Sequence, residues 1–364
     1  MTGPRSTDTL HAEVVVVGAG VTGAASAAAL TRRGVRPLVL EGRSQASGST
    51  GSSGGMVRAY DPDPVVTRLA AASLVSYADP AGWPGGRSPL RPAGAVTLAP
   101  RELTAELGMA AEALRSAGHA EAHVVDGSGP QEVLGIHRDD AAALVEPAAG
   151  WVDPVEVTTL YLSEALAGGA RILTGARVMS VRPSTAGTLL KTTAVDVLAT
   201  GAVVLAIGAW AAWPPAGAGA PRTSTRTRAI QVSVVRRPPG APPHATFVDL
   251  RTGCYGKPVD ERHTLVGLPL LRWGEHPDDG PGPDLRHHER TLRTAAPRLG
   301  WRDDVSTVRI VRSFDRFQHG AGLALLQETA APEVWLARAG SGTGVKVAPE
   351  VGRLIADQVV SRIR

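Results

Sequence analysis

Cysteine occurs once, at Cys254. A single thiol cannot close an internal disulfide, which predicts a reducing, cytoplasmic setting. Lysine occurs three times, at Lys191, Lys257 and Lys346, so 35 of the 38 basic residues are arginine. These arginines are scattered among 34 acids, the net charge is +4, and no run of like charge forms. That pattern argues against a nucleic-acid partner. Long hydrophobic runs are missing too. The four valines Val14–Val17 lead straight into glycine, and nothing before them resembles a leader, so neither a signal peptide nor a membrane span is expected. The ten histidines include no HExxH spacing and have no cysteine partners, so no metal site is expected. His287 and His288 fall in the polar stretch 272–290, a loop or lid candidate, and read as solvated.

What remains is a chain of 364 residues rich in alanine, valine, leucine and glycine. That is enough for two domains with a sizeable core. The opening reads strand, turn, helix, strand, which indicates an α/β fold. Glu13 to Val17 suits a buried parallel strand, Val21 to Arg33 is an alanine-rich helix closed by Gly34, and Pro37 to Glu41 is the next strand. Asp63-Pro64 and Asp153-Pro154 are helix starts, each with an acid at the cap and proline behind it. Residues 171–207 read as several strands, and residues 211–245 as a Pro/Gly/Ala stretch merging into strands. Val334 to Ala337 is a last strand, followed by GSGTG and a helix to the end that takes in Lys346.

The turn GAGVTG places Gly18, Ala19, Gly20 and Gly23 directly between strand and helix. Glycine there permits the tight turn and lets backbone approach a pyrophosphate seated on the helix N-terminus. Glu41 ends the second strand about twenty residues on, where a carboxylate can meet ribose hydroxyls. NAD and FAD share this fingerprint. The loop after Glu41, GRSQASGSTGSSGGMVRAY, is long, small and polar, and can bring backbone N–H groups to a second face of an extended cofactor. Its Gly51–Gly55 run matches GxSxG, but coil rather than a strand precedes it, which argues against a hydrolase elbow.

Taken in order, VVVVGAGVTGAASAAALTRRGVRPLVLEG, the ASGSTGSSGGMVRAY loop, GWVDPVEVTTLYLSEALAGGARILTGARVMSV, VVLAIGAW, GCYGKP and ARAGSGTGVKVAPEVGRLIADQV resemble the FAD-dependent D-amino acid oxidase superfamily, most of all its sarcosine, pipecolate and glycine oxidase branch. The resemblance covers most of the chain and is specific to the superfamily rather than to one substrate. It implies a Rossmann-type FAD-binding domain (1–80, 151–210 and 325–364) interleaved with a substrate domain on a mixed sheet (81–150 and 211–324). It further implies cofactor contacts from Gly18, Ala19, Gly20, Gly23, Glu41, Gly42, Arg43, Ser49, Thr50, Gly54, Gly55, Met56, Val178, Ala206, Gly208 and Trp210, and from Gly340, Gly342, Thr343, Gly344, Val345 and Lys346. Among these, Arg43 would lie on the adenine, Val178 beside it, and Gly208 and Trp210 toward the flavin.

By the same resemblance Arg58 and Lys346 face the carboxylate of a small amino or imino acid, and Tyr255 lines the pocket. The reaction implied is oxidation of a C–N bond, with hydride passing to flavin N5, an imine as product, and reoxidation by molecular oxygen to give hydrogen peroxide. A dehydrogenase feeding another electron acceptor and a non-catalytic FAD-holding subunit are the alternatives. Two departures bear on this. The branch's second arginine is replaced by Gly55, and its oxygen-promoting lysine by Leu265. Lys257 either takes over that second task or is an ordinary loop lysine. Tyr255 also reads as a plain core residue, and Lys346 as a solvated helix residue. The segment that carries a flavin-linked cysteine in sarcosine oxidases here reads VRSFDRFQHG, so the FAD is expected to be non-covalent and Cys254 a buried, inert thiol.

Overall fold

The computed structural model describes residues 9–126, 132–219, 225–280, 282–301, 305–318, 325–337 and 340–364. The opening residues, on which the leader reading partly rests, lie outside these. The first layer is an eight-stranded sheet. Leu10–Val17, Leu38–Glu41, Arg171–Thr174, Val197–Leu205 and Val334–Ala337 run parallel in it, and Leu10–Val17 lies between Leu38–Glu41 and Val197–Leu205. The hairpin Val178–Ser184/Gly187–Thr192 joins Val197–Leu205 antiparallel. Val14 to Val16 are fully buried, as a parallel strand covered on both faces requires.

Helix α1 (Val21–Arg32) is almost wholly apolar and small, and it packs against α4 (Pro154–Ala167) and α6 (Ala348–Ile363). Both aspartate caps form as the sequence predicts. Asp63 accepts from Val65 and Val66 N–H at the start of α2 (Pro64–Ala78), and Asp153 accepts from Val155 and Glu156 N–H at the start of α4. Caps of this kind contribute about 1 kcal/mol each.

The second layer is another eight-stranded sheet, mostly antiparallel. Its strands run in the order Ser306–Gln318, Thr225–Arg236, His263–Trp273, Cys254–Pro258, Thr246–Asp249, Ala95–Ala99, Ala142–Glu146 and His123–Val125. Only the pairing of Thr246–Asp249 with Ala95–Ala99 is parallel. Helices α3 (Thr104–Ser116) and α5 (Leu285–Ala295) lie against this sheet.

Two expectations are corrected. The stretch 272–290 is not all loop, because α5 starts at Leu285 and presses one face on the sheet. His287 is therefore 3% exposed rather than solvated, with Arg290 bonded to its Nδ1. His288 is tied to the Ser233 and Thr307 hydroxyls. Lys346 does not lie inside the last helix: α6 starts at Ala348, with Pro349 in its first turn, and Lys346 belongs to the loop before it.

Candidate active site

A cavity of about 660 Å³ opens between the two sheets. It lies within the range of small-ligand and cofactor sites. Of the twenty-five or so residues singled out above, it is lined by all except Ala19, Gly23 and Lys257.

The floor is the first turn. Gly18 adopts φ +107°, and a Cβ there would stand 2.5 Å from the Ala206 carbonyl oxygen. Gly23 lets α1 sit on that turn, since its Cβ would meet the Gly18 carbonyl oxygen at 2.0 Å. Gly23 is thus a packing residue rather than a lining one. The start of α1 has no capping side chain of its own. Val21 N–H is met by the Thr50 hydroxyl (3.1 Å), and the other first-turn N–H groups face the cavity end of the helix, an anion site by construction. Glu41 accepts from Ala19 N–H and Arg43 N–H, both at 2.8 Å, which fixes the carboxylate at the strand end. This backbone cradle and carboxylate are the donor and acceptor set that a dinucleotide pyrophosphate and ribose need, and the residues present fit such a group.

At one end Arg43 lies 5.3 Å above the Trp210 ring. Asp278, from the loop before α5, binds Arg43 (2.5 Å), Arg177 (3.1 Å) and the Trp210 indole N–H (3.0 Å). Burial pushes the Asp278 carboxyl up, but the bonds from Trp210 and Arg177 and the charges of Arg177 and Arg43 outweigh it and hold the group below the ordinary carboxylate value.

The other end gathers charge. Lys346 is 5% exposed, and its Nζ binds Asp61 at 2.7 Å. Its loop is held from behind, where the Tyr77 hydroxyl donates to the Val345 carbonyl at 2.7 Å. Burial and the nearby Arg58 push the lysine down to about 8, against the pull of Asp61. Burial raises the Asp61 carboxyl, but the charge and hydrogen bond of Lys346, with Arg58, bring it below its usual value. Arg58 is 9% exposed and donates to the Tyr60 carbonyl. Its backbone is set by buried Glu146, which accepts from Ala59 N–H at 2.6 Å and Tyr60 N–H at 3.2 Å.

The second sheet supplies the facing wall. Arg228, Ile230 and Val232 alternate along one strand, Asp315 comes from the adjacent strand, and Tyr255 and Val248 come from Cys254–Pro258 and Thr246–Asp249 farther along the same sheet. Tyr255 lies across Gly267, where a Cβ would come within 2.3 Å of its ring, and burial pushes its hydroxyl up to about 12. Asp315 accepts from Gly342 N–H (2.6 Å) and Arg316 N–H (2.8 Å), and burial raises its carboxyl.

Several of these residues are not singled out by the sequence, among them Asp61, Arg228, Ile230 and Asp315. Asp61 was visible only as the third residue after Arg58. For Arg228 and Ile230 the alternation in TRTRAIQV was the available signal.

Lys257 lies away from the cavity. Lys257 is 6% exposed, and its ammonium sits 3.5 Å from the centroid of the Trp151 ring, so a cation–π contact replaces solvent. Burial pushes it down to about 8. Leu265, its partner across the ladder, lies against Gly54 of the small polar loop. Gly55 has φ +65°, and a Cβ would collide with the Val152 carbonyl oxygen at 2.1 Å, so this backbone has no room for the arginine that the resemblance leads one to expect there. Cys254 is fully buried outside the cavity lining, and burial with the Asp249 charge pushes its thiol up to about 12. Among the described residues no cluster of metal-ligating side chains occurs, and no helix is long and apolar enough to cross a membrane.

The family model described as DAO, FAD dependent oxidoreductase, matches residues 13–358. No curated protein sequence is significantly similar to the chain. Among solved structures, glycine oxidase from Geobacillus kaustophilus is 22% identical with a TM-score of 0.78, covering 97% of this chain and 96% of that one. L-proline dehydrogenase from P. horikoshii is 18% identical with a TM-score of 0.84, covering 98% and 95%. Iminodiacetate oxidase from Chelativorans is 22% identical with a TM-score of 0.76, covering 96% and 95%. Identities this low speak for the shared fold.

Proposed function

We propose, from the premise that this chain belongs to the DAO family of FAD dependent oxidoreductases, that it oxidises a C–N bond in a small amino or imino acid. The observation that carries the reading is the pairing of Arg58 with Lys346 at one end of the cavity, beside the glycine-rich loop Gly340–Gly344. Bound there, FAD supplies the two-electron acceptor for the hydride that leaves the substrate α-carbon. The chain's own part is to bind, orient and dry the substrate. Arg58 and Lys346 hold the carboxylate through charge-assisted contacts, which are strong in a partly desolvated site. Tyr255, Ile230, Val232 and Val248 form the opposite wall and keep water away. The single buried thiol agrees with a cytoplasmic setting.

Oxygen is the acceptor suggested by the family's oxidases. A second reading, a dehydrogenase that hands its electrons to another acceptor, is favoured by Leu265 against Gly54 and by Lys257 being held under Trp151. Turnover of amino and imino acids with an artificial dye acceptor, with detection of the carbonyl product, tests the reading. Free acids should react and their amides and esters should not. Amides that react as well as the acids would remove the carboxylate from the account.

A further inference from the structure

Three cationic side chains line the substrate end of the cavity, and they differ in what they already hold. Lys346 is bound to Asp61 at 2.7 Å. Arg58 donates to its own neighbour, the Tyr60 carbonyl. The Arg228 side chain makes no hydrogen bond or ion pair with any described residue, and its Nε is buried without a partner. A buried guanidinium edge left unmatched carries a desolvation cost that a bound anion removes.

The position of Arg228 is built rather than accidental. Its guanidinium carbon lies 3.9 Å from the centroid of Phe317 and 5.5 Å from that of Trp273, so two aromatic rings hold the plane of the group. Asp315 stands directly across the ladder from it. That acid would be the natural partner, yet its two oxygens are taken by the Gly342 and Arg316 N–H groups. It acts on Arg228 as a nearby charge and not as a bonded ligand. Burial lowers the pKa of Arg228, the sign of a cation that has lost water and gained too little in exchange. Along the same strand face Ile230 and Val232 continue the lining toward Tyr255. Arg58 and Lys346 belong to loops of the first layer, whereas Arg228 stands on the second sheet, so the free cation and the carboxylate-binding pair come from different walls.

We propose that Arg228 is a specificity-determining residue that receives a second anionic group of the substrate, a carboxylate or a phosphate, so that the site takes amino or imino acids carrying two acid groups. This rests on the reading that Arg58 and Lys346 hold the first carboxylate. The apolar side chains of Ile230 and Val232 then accommodate the carbon chain between the two anions.

The test compares holoenzyme with Arg228→Gln and Arg228→Lys on a substrate series, read by anaerobic loss of flavin absorbance. The series holds mono-acids (alanine, proline, sarcosine), diacids of increasing length (aspartate, glutamate, α-aminoadipate) and O-phosphoserine, which separates carboxylate from phosphate. The wild type should prefer a dianionic member. Arg228→Gln should reduce that preference, as the ratio of kcat/KM to the best mono-acid, by about ten- to a hundredfold, mainly through KM, and Arg228→Lys should restore part of it. A wild type that prefers mono-acids overturns the proposal, as does a loss in Arg228→Gln that is equal for mono-acids and diacids. If no amino acid of any kind reduces the flavin, the proposed function fails. Perturbation of the flavin spectrum by unreactive succinate and glutarate then still reads Arg228: binding weakened in Arg228→Gln supports it, and binding unchanged refutes it.

Discussion

Replacing Lys346 by methionine removes one member of a buried ion pair and leaves the other behind. The side chains of Lys346 and Asp61 are 6% and 16% exposed, with Nζ and Oδ2 2.7 Å apart. Breaking a fully buried pair costs about 3–5 kcal/mol, because the orphaned charge stays desolvated. Asp61 keeps some access to water and to Arg58, so about 2–4 kcal/mol is expected here. The pH dependence should change sign. In the wild type the Asp61 pKa is lowered, so its contribution is present above the unfolded carboxylate value and fades as pH falls. Without the lysine, burial is left as the main influence and the carboxyl rises. Lys346→Met should therefore lose stability as pH increases through the range where Asp61 ionises. Asp61→Asn in the same chain should recover much of the loss, with a coupling of about 1–3 kcal/mol for groups in direct contact. Urea unfolding of the two single variants and the double variant at pH 5 and pH 7.5 measures this. Additive effects, with no coupling and no pH trend, would refute the pair and the electrostatic account of this end of the cavity.

Further outcomes follow from the same geometry. Catalysis by Lys346→Met or Arg58→Met should fall roughly thirty- to several-hundredfold in kcat/KM, from a loss of about 2–4 kcal/mol of transition-state binding, and full activity in both would remove the carboxylate clamp. Acid precipitation should release all the yellow colour, since Cys254 is buried outside the cavity lining; colour in the pellet would make that thiol the suspect. Reaction with oxygen after anaerobic reduction should be slow and should rise in Leu265→Lys, while Lys257→Met should leave the rate as it is; a fast wild-type rate that collapses in Lys257→Met would overturn the placement of that lysine. Gly18→Ala should fold poorly or lose FAD, because a Cβ there meets the Ala206 carbonyl oxygen at 2.5 Å; a yellow, stable variant would contradict the tight first turn.

The legible parts of this site were those encoded over a few residues. The strand, the glycine turn, α1 and Glu41 follow one another in sequence, and each aspartate cap announces its helix locally. Lys346 was marked by rarity. What the sequence did not reveal arises from pairing between distant strands. Arg228 and Asp315 face each other only because Thr225–Arg236 and Ser306–Gln318 are neighbours in the second sheet, and neither residue stands out in its own segment. The Asp61–Lys346 contact spans most of the chain. His287 departs from its sequence reading for a related reason: its polar surroundings in sequence become one face of a helix whose other face meets the sheet. In sequence Lys257 reads as a plausible cation for the flavin side, whereas in the fold Trp151, from a separate short strand paired with Met56 and Val57, holds its ammonium.

The central claim is tested most directly by mixing the purified yellow protein with amino and imino acids in the absence of oxygen and following the flavin absorbance. The account predicts bleaching by at least one free acid, slowed by deuterium at its α-carbon and lost when the carboxylate is masked as an amide. Flavin that stays oxidised with every acid in the series, while dithionite still bleaches it, would contradict an amino- or imino-acid oxidoreductase and leave a protein that binds FAD for another purpose.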